Sequence, residues 1–196
     1  MFVLAALAVL GSSAVQGREL LQSSPAGDLT PAVPVDVLFA WHGVGTQNYT
    51  SSSNSKYTLY GAMADLFKGN TSQLVGLHHF NDQDKPEFFN IDSNGNVLGS
   101  VVGSPNRKTT PPRQADDGGF GSVDELLLNA VQATGTMQDV IYIQRLNTLG
   151  GVVPTGLFTL PAFNNIPNSL LDVPYQADYI FLVPAGSAPA PSSLAG

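Results

Sequence analysis

The chain's 196 residues suffice for one domain with a sizeable core, and a hydrophobic content of 43% excludes wholesale disorder. Charged residues make up only 12%, beside 20 Gly and 14 Pro, a composition too poor in charge for a helical bundle and inclined towards β structure. The formal net charge of −7, with no Lys/Arg cluster, excludes a nucleic-acid backbone as partner, because binding one requires several cationic contacts.

From the N-terminus, Met1–Gly17 reads as an apolar run, FVLAALAVL, too short to span a bilayer, followed by the small residues GSSAVQG. This predicts a cleavable signal peptide and an extracellular location. Residues 18–34 read as a linker, residues 35–183 as a single β-rich domain, and residues 184–196 as a Pro/Ala/Ser-rich tail with no membrane-spanning stretch. No cysteine is present, so no disulfide supports the fold. Two sequons, Asn48-Tyr49-Thr50 and Asn70-Thr71-Ser72, mark Asn48 and Asn70 as glycan acceptors expected at the surface.

Val35 to His42 alternates Val35, Val37, Phe39 and Trp41 against Asp36, Leu38, Ala40 and His42, the pattern of a strand packed mainly on one face. Tyr57 to Phe67 is compatible with a strand or a short helix. Leu74 to Phe80 and Asn96 to Val102 are short apolar runs bounded by turn residues, and both read as strands. Ser104 to Gly121, rich in Pro, Gly, Asp and Thr, reads as a long surface loop. At its end Ser122-Val123-Asp124-Glu125 has capping-box spacing ahead of three leucines, so a helical turn competes with a strand there.

The C-terminal half carries the clearest alternation. Val140, Tyr142, Gln144 and Leu146 oppose Ile141, Ile143 and Arg145, and Gly150-Gly151 then forces a turn. In Val173 to Val183 one face collects Val173, Tyr175, Ala177, Tyr179, Phe181 and Val183. Short strands, Gly/Pro turns and no long amphipathic helix predict an all-β sandwich or barrel with at most one or two short helices.

Gly45 to Thr50, Val75 to His78, Pro86 to Phe88, Val123-Asp124, Ile143 to Gly151 and Val173 to Phe181 occur in an order and spacing that resemble the domain of unknown function 3455 family of secreted bacterial, fungal and algal proteins. The resemblance implies secretion and a single domain from about Val35 to Leu182, and it carries no assigned activity. Relatives often have Cys after the Gln-Asn-Tyr-Thr block and again after the Gly-Gly turn, where this chain has Ser51 and the stretch around Leu157. They also commonly carry Trp at the position of Glu125.

Chemistry-bearing residues are few. The three histidines are His42, His78 and His79, and the adjacent pair must point to opposite faces of a strand, so no metal centre is expected. Gly43-Val44-Gly45-Thr46-Gln47-Asn48 follows a strand as a dinucleotide loop would, but lacks the third glycine and the following helix, so no cofactor is expected. Arg145 shares a strand face with Ile141 and Ile143, and Asp178 or Asp172 is its expected ion-pair partner. The candidate binding residues are His78, Gln144, Arg145, Tyr49, Tyr57 and Tyr60, with Phe120 as a further loop aromatic. They predict a non-enzymatic extracellular or cell-wall domain that binds a carbohydrate or another surface component through loop aromatics. The alternative is a secreted enzyme that uses His78 with a metal or the loop carboxylates, among them Asp82, Asp84, Asp116 and Asp117.

Overall fold

A computed structural model describes residues 29–51, 57–111, 121–153 and 169–188. The segment read as a signal peptide, most of the segment read as a linker, Asp116, Asp117, Phe120, Leu157 and residues 189–196 lie outside the described residues. Eight strands follow one another: β1 Val35–Ser51, β2 Tyr57–Lys68, β3 Leu74–Phe80, β4 Pro86–Ile91, β5 Val97–Thr109, β6 Glu125–Gly135, β7 Tyr142–Gly150 and β8 Leu170–Pro184. Each pairs antiparallel with the next, and β1 pairs with β8 from Val35↔Pro184 to Thr50↔Leu170, closing a barrel. Closure leaves no free sheet edge. The sequence pattern left sandwich and barrel open, and the β1–β8 ladder decides for the barrel. No α-helix occurs among the described residues, and none is long and apolar enough to cross a membrane.

Alternation determines what faces the lumen. On β8, Val173, Tyr175, Ala177, Tyr179, Phe181 and Val183 are all buried, while Asp172, Pro174 and Gln176 between them are exposed. On β1, Phe39 and Trp41 join the same interior cluster. One end of the barrel is filled by aromatic rings: Trp41 stacks on Phe39 at 4.8 Å and tilts against Phe181 at 4.7 Å. Phe88 meets Phe181 edge-on at 5.5 Å. Met137, in the turn between β6 and β7, is fully buried and belongs to this plug. The lumen is narrow enough here that Gly43 is required: a Cβ would come within 2.7 Å of the Tyr179 ring. The glycines of the Gly43-Val44-Gly45 run are therefore strand residues that admit a neighbouring ring and backbone.

A second cluster lies on the outer face. Leu127, Leu146, Ile180 and Leu182 would be solvated there, but Leu29, 2% exposed, packs over them. Gln144 Nε2 donates to the Leu29 carbonyl at 2.9 Å, and Arg107 Nη1 donates to the Thr30 carbonyl at 3.2 Å. The end of the segment read as a linker is thus strapped across β6, β7, β8 and β1.

The structure settles two open readings and corrects one expectation. Tyr57–Lys68 resolves its ambiguity as strand β2. The expected long loop from Ser104 is strand as far as Thr109, interrupted by register shifts at Val102/Gly103 and Pro105/Arg107. The leucines after the capping-box pattern enter β6, because Leu126 and Leu128 pack inside the barrel while Leu127 packs under Leu29, so both faces are covered.

A candidate ligand pocket in the barrel lumen

The end of the barrel opposite the aromatic plug holds a cavity of about 450 Å³, within the range that encloses a small organic ligand. Its walls differ in chemistry around the circumference. β6 supplies Leu126 and Leu128, β5 Pro105, β4 Pro86 and Phe88, β3 Phe80 and β2 Leu59, an apolar arc. The contiguous strands β1, β8 and β7 supply Gln47, Tyr49, Tyr179 and Arg145. The lumen is therefore amphipathic across its width.

His78 closes the apolar arc on the β3 side. It is 3% exposed, its ring lies parallel to Phe88 at 4.3 Å, and Tyr179 tilts against it at 5.6 Å. Its Nδ1 lies 2.9 Å from the Glu87 carbonyl, which can only accept, so Nδ1 carries the proton and Nε2 is the acceptor of the neutral ring. Burial holds its pKa down to about 4, and the Arg145 and His79 charges add to that effect. The imidazole is neutral at physiological pH.

The polar strip is built from a short chain of contacts. The Tyr175 and Tyr179 hydroxyls lie 2.9 Å apart in the interior, and burial raises the pKa of both, against the opposing pull of Arg145. Tyr49 donates to the Gly151 carbonyl at 2.7 Å, which fixes its ring at the mouth, and burial raises its pKa as well. Gln47 is 2% exposed, and its Nε2 neighbours the Tyr175 hydroxyl without meeting any partner in hydrogen-bond geometry.

Arg145 differs from its expectation. Its Nη2 and Nε donate to the main-chain carbonyl of Asp124 at 2.7 and 3.1 Å, and it forms no ion pair among the described residues. Asp178 instead accepts from Asn147 at 2.8 Å and pairs with His42 at 2.9 Å, while Asp172 accepts from Asn48 Nδ2 at 2.6 Å. The reason is parity: the inward residues of β8 are odd-numbered, so both aspartates lie on the outer face and Arg145 on the inner.

Of the residues singled out from sequence, the cavity brings together Tyr49, His78 and Arg145. Gln144 lies outside it, under Leu29. Tyr57 is half-buried with its hydroxyl 3.1 Å from Ser169 Oγ, and Tyr60 is exposed; neither lines the cavity. Asp82 is exposed, and Asp84 stands at the cavity rim beside Lys85. The three histidines do not converge, since adjacent His78 and His79 stack on Phe88 and Phe89 on opposite faces of the wall, and no group of three potential metal ligands occurs among the described residues. Asn48, expected at the surface, is 8% exposed with its amide engaged by Asp172, whereas Asn70 lies in an exposed turn. Ser51 is buried and bonds Ser169 Oγ at 2.9 Å, tying the end of β1 to the start of β8. Glu125 accepts from the Asn147 main-chain amide at 2.8 Å.

Gln47, Phe80, Phe88 and Tyr179 were not singled out as site residues. For Gln47 a signal existed, since counting by twos from Trp41 places it on the inner face.

Fold and site together define a closed antiparallel barrel with a ligand-sized, amphipathic cavity at one end. The chain belongs to the DUF3455 family of proteins of unknown function, whose family model matches residues 31–183. No curated protein and no solved structure matches it.

Proposed function

We propose that the protein is a secreted, small-molecule-binding barrel that takes the apolar body of a ligand into its lumen. The observation that carries this reading is the cavity itself, with Phe80, Phe88, Leu126 and Leu128 on one side and a line of polar groups on the other. Desolvating an apolar ring there is favourable, and the few polar groups give orientation. Secretion is supported by the composition of Met1–Gly17 and by the Asn70 sequon in an exposed turn.

A carbohydrate, or a cell-surface component bound through loop aromatics, fits this site less well. A hydroxyl-rich sugar leaves its polar groups unmatched against the apolar arc, and Tyr49, Tyr57 and Tyr60 form no common platform. A molecule with an apolar ring system matches the walls better.

The test uses N-phenyl-1-naphthylamine, a neutral apolar probe whose fluorescence rises on desolvation. It is expected to bind at one site per chain, and Leu126→Trp, which fills the cavity from its wall, is expected to abolish the signal while the strand circular dichroism is unchanged. Absence of saturable binding, or binding indifferent to Leu126→Trp, refutes the reading.

A further inference from the structure

We infer that the pocket selects an amphipathic organic acid, whose carboxylate docks on Arg145 while its apolar body lies against Phe88 and Leu128. The inference rests on reading the lumen as a ligand site and specifies what that ligand carries.

The charge balance of Arg145 points to an anion. The guanidinium lines the cavity half-buried, and its hydrogen bonds go to the neutral Asp124 carbonyl rather than to a carboxylate. Asp124 also lines the cavity, and its carboxylate is neutralised by Lys108 at 3.1 Å and accepts from the Thr110 hydroxyl at 2.9 Å. Asp84 and Lys85 at the rim carry opposite charges that offset each other.

The remaining lining groups are compatible with one anion and no second cation. Tyr49 and Tyr179 keep their phenolic protons, and His78 is uncharged. Arg145 thus supplies the cation of the inner wall, in a partly desolvated setting where a charge-assisted hydrogen bond to a carboxylate is strong. The apolar arc opposite favours an organic acid over inorganic phosphate, because phosphate offers nothing to Phe80, Phe88, Leu126 and Leu128.

The experiment is titration calorimetry of the full chain with naphthalene-2-carboxylate and with its neutral isostere naphthalene-2-carboxamide near neutral pH. The acid is expected to bind at least about tenfold tighter, the ratio that one charge-assisted contact confers. In Arg145→Met the ratio is expected to fall to about one, and Arg145→Lys, which keeps the charge but not the planar fork, should retain part of it. Equal affinities for the two compounds in the unmodified protein, or a preference that survives Arg145→Met, overturn the inference. The wild-type ratio decides even if Arg145→Met fails to fold. Binding of N-phenyl-1-naphthylamine without binding of either naphthalene derivative refutes the acid specificity and leaves the pocket standing; failure of all three removes both.

Discussion

Replacing His78 with Gln should flatten the acid limb of the barrel's stability profile. In the folded chain the imidazole is buried against Phe88 and Tyr179, and its pKa is held down to about 4 from 6.5, chiefly by burial. Above pH 6.5 the ring is neutral in both states and no linkage operates. Between 6.5 and about 4 the unfolded chain takes up a proton that the folded barrel refuses, so stability falls as pH drops through that window. Below it the loss is complete. At about 1.4 kcal/mol per pH unit the full displacement corresponds to about 3 kcal/mol, a large part of the stability of a small domain. Glutamine keeps a donor for the Glu87 carbonyl and carries no titratable proton. Urea unfolding of the wild type and His78→Gln should therefore give stabilities that converge as pH falls from about 7 to about 4, with the wild type losing about 3 kcal/mol more. Carboxylates titrating in the same range affect both proteins and cancel in the difference. Parallel profiles would show that His78 is solvated or paired, and the description of the lumen would be wrong.

Other perturbations test the neighbouring parts. Leu29→Ala should cost about 2 to 4 kcal/mol in denaturant unfolding, because it uncovers Leu127, Leu146, Ile180 and Leu182 on the outer wall; a change under about 0.5 kcal/mol would mean that the strap is not seated. Gly43→Val should destabilise by about 1 to 3 kcal/mol and shift the tyrosine near-UV circular dichroism, since its Cβ meets the Tyr179 ring; an unchanged signal would contradict that contact. A double-mutant cycle of Arg145→Met with Asp178→Asn should give a coupling below about 0.5 kcal/mol, because the two lie on opposite faces of the wall. Strong coupling would restore the ion pair expected from sequence.

Strands β7 and β8 were legible because each has distinct faces over many residues. In β1 a register shift at Val37/Phe39 sends Val35 and Val37 to the outer cluster and leaves only Phe39 and Trp41 of that set inside, so the single face read from Val35, Val37, Phe39 and Trp41 is corrected. β4 was not legible, since Phe88 points into the lumen while Phe89 stacks on His79 outside, so Pro86–Ile91 is apolar on both sides and shows no alternation. The outer half of β5 was hidden by Pro105, Asn106, Arg107 and Lys108, all exposed, and by two register shifts that break the period. The leucines of β6 imitated a helix start because Leu29, far away in sequence, buries the face that would otherwise have been polar. In the site, alternation placed Arg145 on the inner wall, and the same alternation applied to β8 would have excluded Asp172 and Asp178 as its partners. Its true acceptor, a main-chain carbonyl at Asp124, leaves no trace in side-chain identity. Tyr49, Tyr57 and Tyr60, weighed by type as loop aromatics, lie on β1 and β2, and among the described ones only Tyr49 lines the cavity.

The central claim is that a ligand enters the lumen rather than settling on a loop or on the outer wall. Amide and methyl chemical-shift mapping of the isotopically labelled chain with naphthalene-2-carboxylate tests it most directly. Shifts concentrated on Gln47, Tyr49, His78, Phe88, Leu128 and Arg145 are predicted, with Met63, Leu77 and Tyr60 on the exposed surface unmoved. Perturbations confined to those exposed residues, with the lumen signals unchanged at saturation, would contradict it.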